Sequence, residues 1–401
     1  MRPVEQATLI DRTHKANPFP LYAYLRWAAP MHQVRWPDGR IACLVTQYQH
    51  VAAILTDRRF LMHDPSEPRS RLARLSRITN ASWSSLEAFD ESTQARFCAL
   101  VRQVLTPARF EALGDRVVSI CHRQMSSVRE GRQVDLIGEY AVPISIMVTA
   151  DLLGVPPDDW RRIVRSAVAM FGPEMTAWRT VRSTASQVWF QRYVWRLLRA
   201  HKTQQTQDPL GLVSDAEEFG LTEADLGPVI VLLLAASFET AANLIGNGIA
   251  TLLHHADQLE RLRREYGLMD SAVDELARFT SPVEIAVRYA TEDVAVDGVE
   301  IPSGAIVLAG VASANRDHRQ FQDPDLLNLG RFPNPHLSFR IRPLDELAGP
   351  LARLVAQLAI GTLLESAEFM FERDPARLRW RSGLSIRGLE SLPIWIARWR
   401  N

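Results

Sequence analysis

The stretch AVDELARFTSPVEIAVR, residues 272–288, decides the fold. Its first part, 272–279, has apolar residues at helical spacing, which predicts a helix. Glu275 and Arg278 lie three positions apart in that helix, so both charges share one face and can pair. From 285 to 291 the period of the apolar residues changes to two, which predicts a strand. A helix with paired charges on one face therefore leads into a sheet.

The patterns on either side predict a mostly helical protein with a small sheet. Helices are predicted over 21–28, through most of 93–201, over the apolar run 228–253 that follows Thr222, and over 347–365. Strands are predicted over 31–36 and 41–46, over 294–296 and 299–301, and in short pieces of 378–399. Without internal repeats or low-complexity tracts, the chain is expected to form one domain, 1–401, mainly α with a small β annex.

Composition argues against several kinds of partner and site. Lys+Arg 46 equals Asp+Glu 46 and no basic block occurs, so we expect neither nucleic acid nor a membrane as a partner. The N-terminus lacks the apolar stretch of a signal peptide, which predicts a cytoplasmic protein. The cysteines, Cys43, Cys98 and Cys121, have neither disulfide-framework nor zinc-site spacing, and no cysteine follows Cys121. We expect no metal site.

Several motifs occur in the order found in bacterial cytochrome P-450 proteins. The run ASFETA, 236–241, resembles the central-helix motif of that family, in which an acid and an alcohol, here Glu239 and Thr240, manage protons. Glu275 and Arg278 match its ExxR motif, and Arg331 is the usual third partner of that pair. Each match alone is weak, but their shared order predicts the cytochrome P-450 fold. The resemblance implies a structural role for Glu275, Arg278 and Arg331.

The sequence departs from this family at the cysteine that binds the haem iron. The family motif is Phe-x-x-Gly-x-x-x-Cys-x-Gly, and its thiolate is the axial ligand. Here 339–349 reads FRIRPLDELAG, and the flanks NPHL (334–337) and PLAR (350–353) keep the spacing of the family. Glu346 therefore falls on the cysteine position, which implies that the ligand has been replaced.

Other positions that resemble haem-binding residues differ as well. Gln94 and Cys98 stand where the family often has a His and an Arg for the haem propionates, and Leu344 replaces another such residue. Arg340 and Arg342 replace loop glycines. Of the propionate-binding set only Arg288 remains, so we expect a degenerate haem site and no cofactor. Ligation of iron by the Glu346 carboxylate is a weaker alternative, and acids in the first turn of a helix also suit its dipole.

Three functions follow from this resemblance, and whether the chain is an enzyme stays open. The first is a non-haem auxiliary protein, because haem-less relatives of the family activate glycosyltransferases in bacterial natural-product pathways; a glycosyltransferase is then the expected partner. The second is a haem-independent enzyme that uses the vacated pocket for acid–base cyclisation or rearrangement, with Glu239 and Thr240 as catalytic residues. The third, ranked last, is a haem-dependent monooxygenase.

Large aromatic side chains cluster in the part of the chain that covers the distal pocket in the family. They are Trp178, Trp189, Phe190, Tyr193 and Trp195. The cluster could line a pocket for a small-molecule ligand or form a docking surface. Its helical spacing fits a core stripe equally well. Similarly, Arg340 and Arg342 could bind an acidic surface of a partner protein, or they could simply be two solvent-exposed arginines.

Overall fold

The structure is a computed structural model that describes residues 4–36, 39–62, 107–126, 132–171, 240–296, 298–340, 348–371 and 378–399. It also describes single residues and short runs between 92 and 100 and between 186 and 222. The mainly helical architecture with a smaller sheet portion confirms the predicted fold class.

The largest sheet has six strands and joins distant parts of the chain. Its strands, in spatial order, are Val4–Glu5, Met31–Arg35, Ile41–Val45, Ile306–Ala309, Ala286–Ala290 and Phe60–Leu61. The predicted N-terminal hairpin is confirmed, with Met31 opposite Val45 in antiparallel register. Ile41–Val45 then pairs in parallel with Ile306–Ala309, so the sheet links the N-terminal region to the region after the decisive helix.

Two smaller sheets complete the β structure of the described residues. Val294–Val296 pairs with Val299–Ile301 in an antiparallel hairpin, as Asp297-Gly298 predicts. The third sheet has the order Ala367–Phe371, Pro393–Trp399, Gln133–Asp135. The last of these strands lies in a region predicted to be helical. That prediction was wrong there because a three-residue strand takes its stability from the partner strand and not from its own pattern.

The helices include those predicted over 21–28, 272–279 and 347–365, together with others that the sequence analysis did not predict. They are Gln6–Ile10, Arg12–Ala16, Phe19–Ala28, Tyr48–Thr56, Pro107–Met125, Val142–Leu152, Trp160–Phe171, Ala256–Arg264, Met269–Thr280, Val311–Ala314 and Ala348–Ser366, with a π-helical segment at Ile137–Ala141 and 3-10 turns at Pro157–Asp159 and Tyr266–Leu268. Residues 240–254 are helical too. Among the described residues, no helix has the length and apolarity needed to cross a membrane.

The helix of 240–254 passes through the main hydrophobic core. Every described residue from 240 to 250 is buried, as expected for a helix that is apolar nearly all round. Gly246 permits a close approach, since a Cβ there would overlap the Ile137 side chain. The earlier part of the predicted run, 228–239, lies outside the described residues.

The Met269–Thr280 helix ends at a residue in the left-handed region. Ser281 has φ 46°, and its backbone N–H donates to the carbonyl of Ala277. Its hydroxyl donates to the carbonyl of Arg278 at 2.9 Å. These bonds hold a conformation that L-residues rarely adopt, and they turn the chain from the helix towards strand Ala286–Ala290.

Candidate functional site

The predicted charged triad comes together as one buried cluster. Glu275 and Arg278 are both fully buried and form a two-point ion pair, with Nε to Oε2 at 2.7 Å and Nη2 to Oε1 at 2.9 Å. Arg331 Nε donates to both Glu275 oxygens at 3.1 Å. Asn334 Nδ2 and the backbone N–H of Asn328 donate to the same carboxylate. Five donors therefore satisfy one carboxylate, which lowers the cost of burying it.

The remaining donors of Arg278 tie this cluster to the segment that follows the sheet. Its guanidinium donates to the carbonyl oxygens of Asn315 and Pro324, each at 2.8 Å. Arg331 reaches the carbonyls of Gln322 and Asp323 in the same segment. The helix Met269–Thr280 thus positions the chain that leads to residues 334–340.

That chain ends in a loop whose base is closed by direct contact. Asn315 accepts from the backbone N–H of Leu337 and donates to the Ser338 hydroxyl, which in turn donates to the Ala277 carbonyl at 2.6 Å. A Cβ on Gly349 would lie 3.0 Å from the Phe339 Cβ, so the backbone at 349 packs directly on Phe339. Both ends of the stretch 339–349 are therefore fixed next to each other.

The structure describes only some of the predicted haem-site and catalytic residues. Those outside the described residues are Gln94, Cys98, Glu239, Arg342, Leu344 and Glu346. Arg340 is exposed at the start of the loop. Thr240 is buried at the start of the described part of the central helix. Arg288 is buried on strand Ala286–Ala290, opposite Val307, and donates to the carbonyl of Val287 at 3.0 Å.

The described members of the aromatic cluster contact a neighbouring helix. The rings of Trp189 and Tyr193 lie 5.2 Å apart, and the guanidinium of Arg162 stacks 4.3 Å from the Trp189 ring. The Tyr193 hydroxyl donates to the Asp159 carboxylate at 2.7 Å. Phe190 is buried in the main core. These contacts favour the core-stripe interpretation for the described members; Trp178 and Trp195 lie outside the described residues.

A second buried charge cluster was not predicted. Glu284 is fully buried; it accepts from Lys15 Nζ at 2.7 Å and from the Tyr22 hydroxyl at 2.6 Å. Burial opposes ionisation of Glu284, but His14, Lys15 and Tyr22 outweigh it and hold the pKa of the carboxyl below its ordinary value. The sequence did contain one indication of this cluster: Glu284 stands between the apolar residues Val283 and Ile285, in a stretch whose pattern predicts burial.

The described cysteines lie in ordinary structural positions. Cys121 is buried in helix Pro107–Met125, and burial raises the pKa of its thiol to about 12, despite hydrogen bonds with Tyr140 and Thr362. Cys43 lies on strand Ile41–Val45, and burial raises its pKa as well. Among the described residues, no group of three or more His, Cys, Asp or Glu side chains could hold a metal ion.

Comparison with known proteins shows similarity over nearly the whole chain. The sequence profile of the cytochrome P-450 family matches residues 175–343. The cytochrome P-450 monooxygenase PikC of Streptomyces venezuelae is 34% identical over 99% of this chain and 95% of its own length. The polyketide biosynthesis cytochrome P-450 PksS of Bacillus subtilis strain 168 is 29% identical over 95% of this chain and 96% of its own length.

Solved structures agree with these relatives. The structure of PksS has a TM-score of 0.85 at 28% identity and covers 97% of this chain and 99% of its own. Cytochrome P-450 BioI, solved in complex with an acyl carrier protein that carries hexadec-9Z-enoic acid, has a TM-score of 0.84 at 29% identity over 96% of this chain and 99% of its own. One related protein has thus been solved with a carrier protein and its acyl chain.

These findings correct the predicted function. The prediction of a non-haem activator of a glycosyltransferase, with a haem-independent enzyme as its alternative, was wrong. The full-length relatives are named as cytochromes P-450 of polyketide and biotin biosynthesis, and PikC is named a monooxygenase. The error arose because the changed haem-binding positions, Glu346 among them, were given more weight for function than the family resemblance along the chain.

The residues of this chain do not fit a haem bound in the usual way. The iron of the family is held by a cysteine thiolate, and no cysteine follows Cys121 in the sequence. The Cys121 thiol is protonated at neutral pH, because its pKa is about 12. We therefore derive no chemical step through a haem.

The scaffold is nonetheless that of the relatives. The buried charge cluster of Glu275, Arg278 and Arg331 is built as the motifs predict, and strands and helices follow in the expected order. With 34% identity to PikC over nearly the full length of both chains, this protein belongs to the cytochrome P-450 family.

Proposed function

We propose that this chain is a monooxygenase-class enzyme that acts on an apolar acyl or polyketide intermediate of a bacterial biosynthetic pathway. The observation that carries this proposal is the full-length similarity to PikC, a monooxygenase. The substrate class is supported by the names of PksS, from polyketide biosynthesis, and of BioI, solved with a fatty acyl chain on its carrier protein.

The proposal assigns the proton-handling residues to the start of the central helix. The described residues that follow, 240–250, are buried and mostly apolar, and they pack in the main core. Thr240 supplies a buried hydroxyl at the start of this part. In the proposal, Glu239 and Thr240 are the acid and alcohol that move protons to the reacting oxygen.

Oxygen-18 gas provides the direct test of the reaction class. The purified protein is incubated with a panel of macrolactones and of fatty acyl chains on an acyl carrier protein, together with NADPH, a ferredoxin and its reductase. One oxygen atom from the gas should enter the product and the other should leave as water. Mass spectrometry then shows a gain of one heavy oxygen. Absence of any oxygenated product over the whole panel would overturn the proposal.

Two threonines on the same helix make a matched pair of variants. Thr240→Val removes the hydroxyl assigned to proton transfer and should lower product formation by about 100-fold, the lower end of general acid–base contributions. Thr251→Val makes the same chemical change further along the helix and should leave product formation unchanged. Equal activity of the two variants would show that Thr240 has no part in the reaction.

A further inference from the structure

We infer that a haem bound to this protein has no thiolate ligand on its iron, because the sequence has Glu346 where the family motif has its cysteine and no described cysteine can replace it. The proposed function concerns the reaction class and the substrate, whereas this inference concerns the atom that would contact the iron. The two can therefore fail separately.

The sequence leaves no sulfur in the loop that leads to the last helix. Between Phe339 and Gly349 the ionisable side chains are arginines and the acids Asp345 and Glu346. Carboxylate oxygens are hard donors and lack the electron-donating character of a thiolate. A ligand from this loop would change the electronic properties of the iron.

The described residues on either side of the loop are held by close contacts. Ser338 is buried and bonded to both Asn315 and the Ala277 carbonyl, so the chain enters the loop from a fixed point. The contact of Gly349 with Phe339 fixes the exit, because the neighbouring backbone already lies within 3.3 Å of a Cβ built there. The described residues at the two ends of the loop, Phe339 and Gly349, therefore pack against each other.

Cys121 cannot serve as the thiolate from its present position. It is fully buried among the helices of the main core, where its thiol is bonded to the side chains of Tyr140 and Thr362. Tyr140 is itself held, since its hydroxyl donates to the carbonyl of Ala359 at 2.7 Å. Exposure of this sulfur to a haem would require the core to open.

Cys43 is fixed by the sheet. Its strand, Ile41–Val45, has a neighbour on each side, and Cys43 itself lies opposite Gln33 on one neighbour and Val307 on the other. A residue in the interior of a six-stranded sheet cannot leave it without breaking the hydrogen bonds of both ladders. This cysteine is therefore a structural residue of the strand.

Absorption spectroscopy tests the inference on the intact protein. The purified chain is titrated with haemin, reduced with dithionite and exposed to carbon monoxide. The wild-type protein should give no difference band of the thiolate type. Glu346→Cys should gain that band, with the number of thiolate-ligated haems approaching one per protein chain. Asp345→Cys, which places the cysteine one position away, should not gain it. If the band is weak for lack of space, Arg340→Gly and Arg342→Gly are added to Glu346→Cys to restore loop glycines.

The outcomes separate the inference from the proposed function. A thiolate-type band in the wild-type protein would overturn the inference, and its loss in Cys98→Ser would identify that cysteine as the ligand. A Glu346→Cys protein that lacks the band even with both glycines would overturn the assignment of position 346. Incorporation of heavy oxygen by a wild-type protein without the band would support both proposals, whereas absence of product would remove only the proposed function.

Discussion

Glu275 and Glu284 are both fully buried carboxylates, but their partners come from opposite parts of the chain. Glu275 pairs with Arg278 on its own helix and with Arg331 from the segment after the sheet. Glu284 pairs with Lys15, 269 positions earlier in the chain. The first pair forms as soon as its helix forms, whereas the second requires the N-terminal helices to pack on the sheet. The two carboxylates are therefore equally buried, but the ion pair of Glu284 depends much more on tertiary structure than the pair of Glu275 with Arg278.

The largest effect is expected from Glu275→Gln. The substitution keeps the shape of the side chain but leaves Arg278 and Arg331 without their shared counter-charge, which should cost about 3–5 kcal/mol of unfolding free energy. Urea denaturation followed by circular dichroism measures this loss. Glu292→Gln, at a side chain 60% exposed, is the control and should change stability by less than about 0.5 kcal/mol. Similar losses in the two variants would contradict the structural role of Glu275.

A smaller effect is expected from Lys15→Met. Glu284 would lose its cation but keep the Tyr22 hydroxyl as a donor, so the loss should be about 1.5–3 kcal/mol. Arg12→Met is the matched control in the same N-terminal segment, because Arg12 pairs with Glu390 at 2.6 Å while half exposed, and should cost less than about 1 kcal/mol. If Lys15→Met costs no more than Arg12→Met, the buried pair contributes nothing specific.

The pH dependence of the second cluster gives the smallest effect. The pKa of Glu284 in the folded protein lies below its ordinary value of 4.5, so folding favours the ionised form. That stabilisation is complete at a pH above the pKa that Glu284 has in the unfolded chain. It is lost as the pH falls through the lower pKa that Glu284 has in the folded protein. The stability gap between wild type and Glu284→Gln should therefore narrow in acid, by at most about 1.4 kcal/mol for each pH unit. A gap that stays constant from pH 7 down to the onset of acid unfolding would contradict this assignment.

The same contrast explains how much the sequence could predict. The helix Met269–Thr280, the hairpin around Gly298 and the pairing of Glu275 with Arg278 are local, so spacing alone indicates them. The strand Gln133–Asp135 and the Glu284 cluster depend on residues from the other end of the chain. Their local patterns carry no information about those partners, and the sequence analysis missed both.

The candidate site shows a different limit of sequence analysis. The motifs placed Glu275, Arg278 and Arg331 together correctly, because helical spacing indicates the first pair and the family resemblance supplies Arg331 as the third partner. The function was predicted wrongly because altered residues, in the loop 339–349 and at Gln94 and Cys98, decided the prediction against the usual activity of the family. A single loop can change its ligand while the scaffold around it stays that of the family.

The contacts of Arg387 set an order of events during protein synthesis. Its guanidinium donates to the carbonyl oxygens of Lys15 and Ala16, and Glu390 pairs with Arg12 nearby. A ribosome makes Lys15 before Arg387, so this acceptor gains its donor only after a further 372 residues have been added. The helix Arg12–Ala16 is thus fully anchored long after it has been translated, and removal of the segment that holds Arg387 and Glu390 would be felt there.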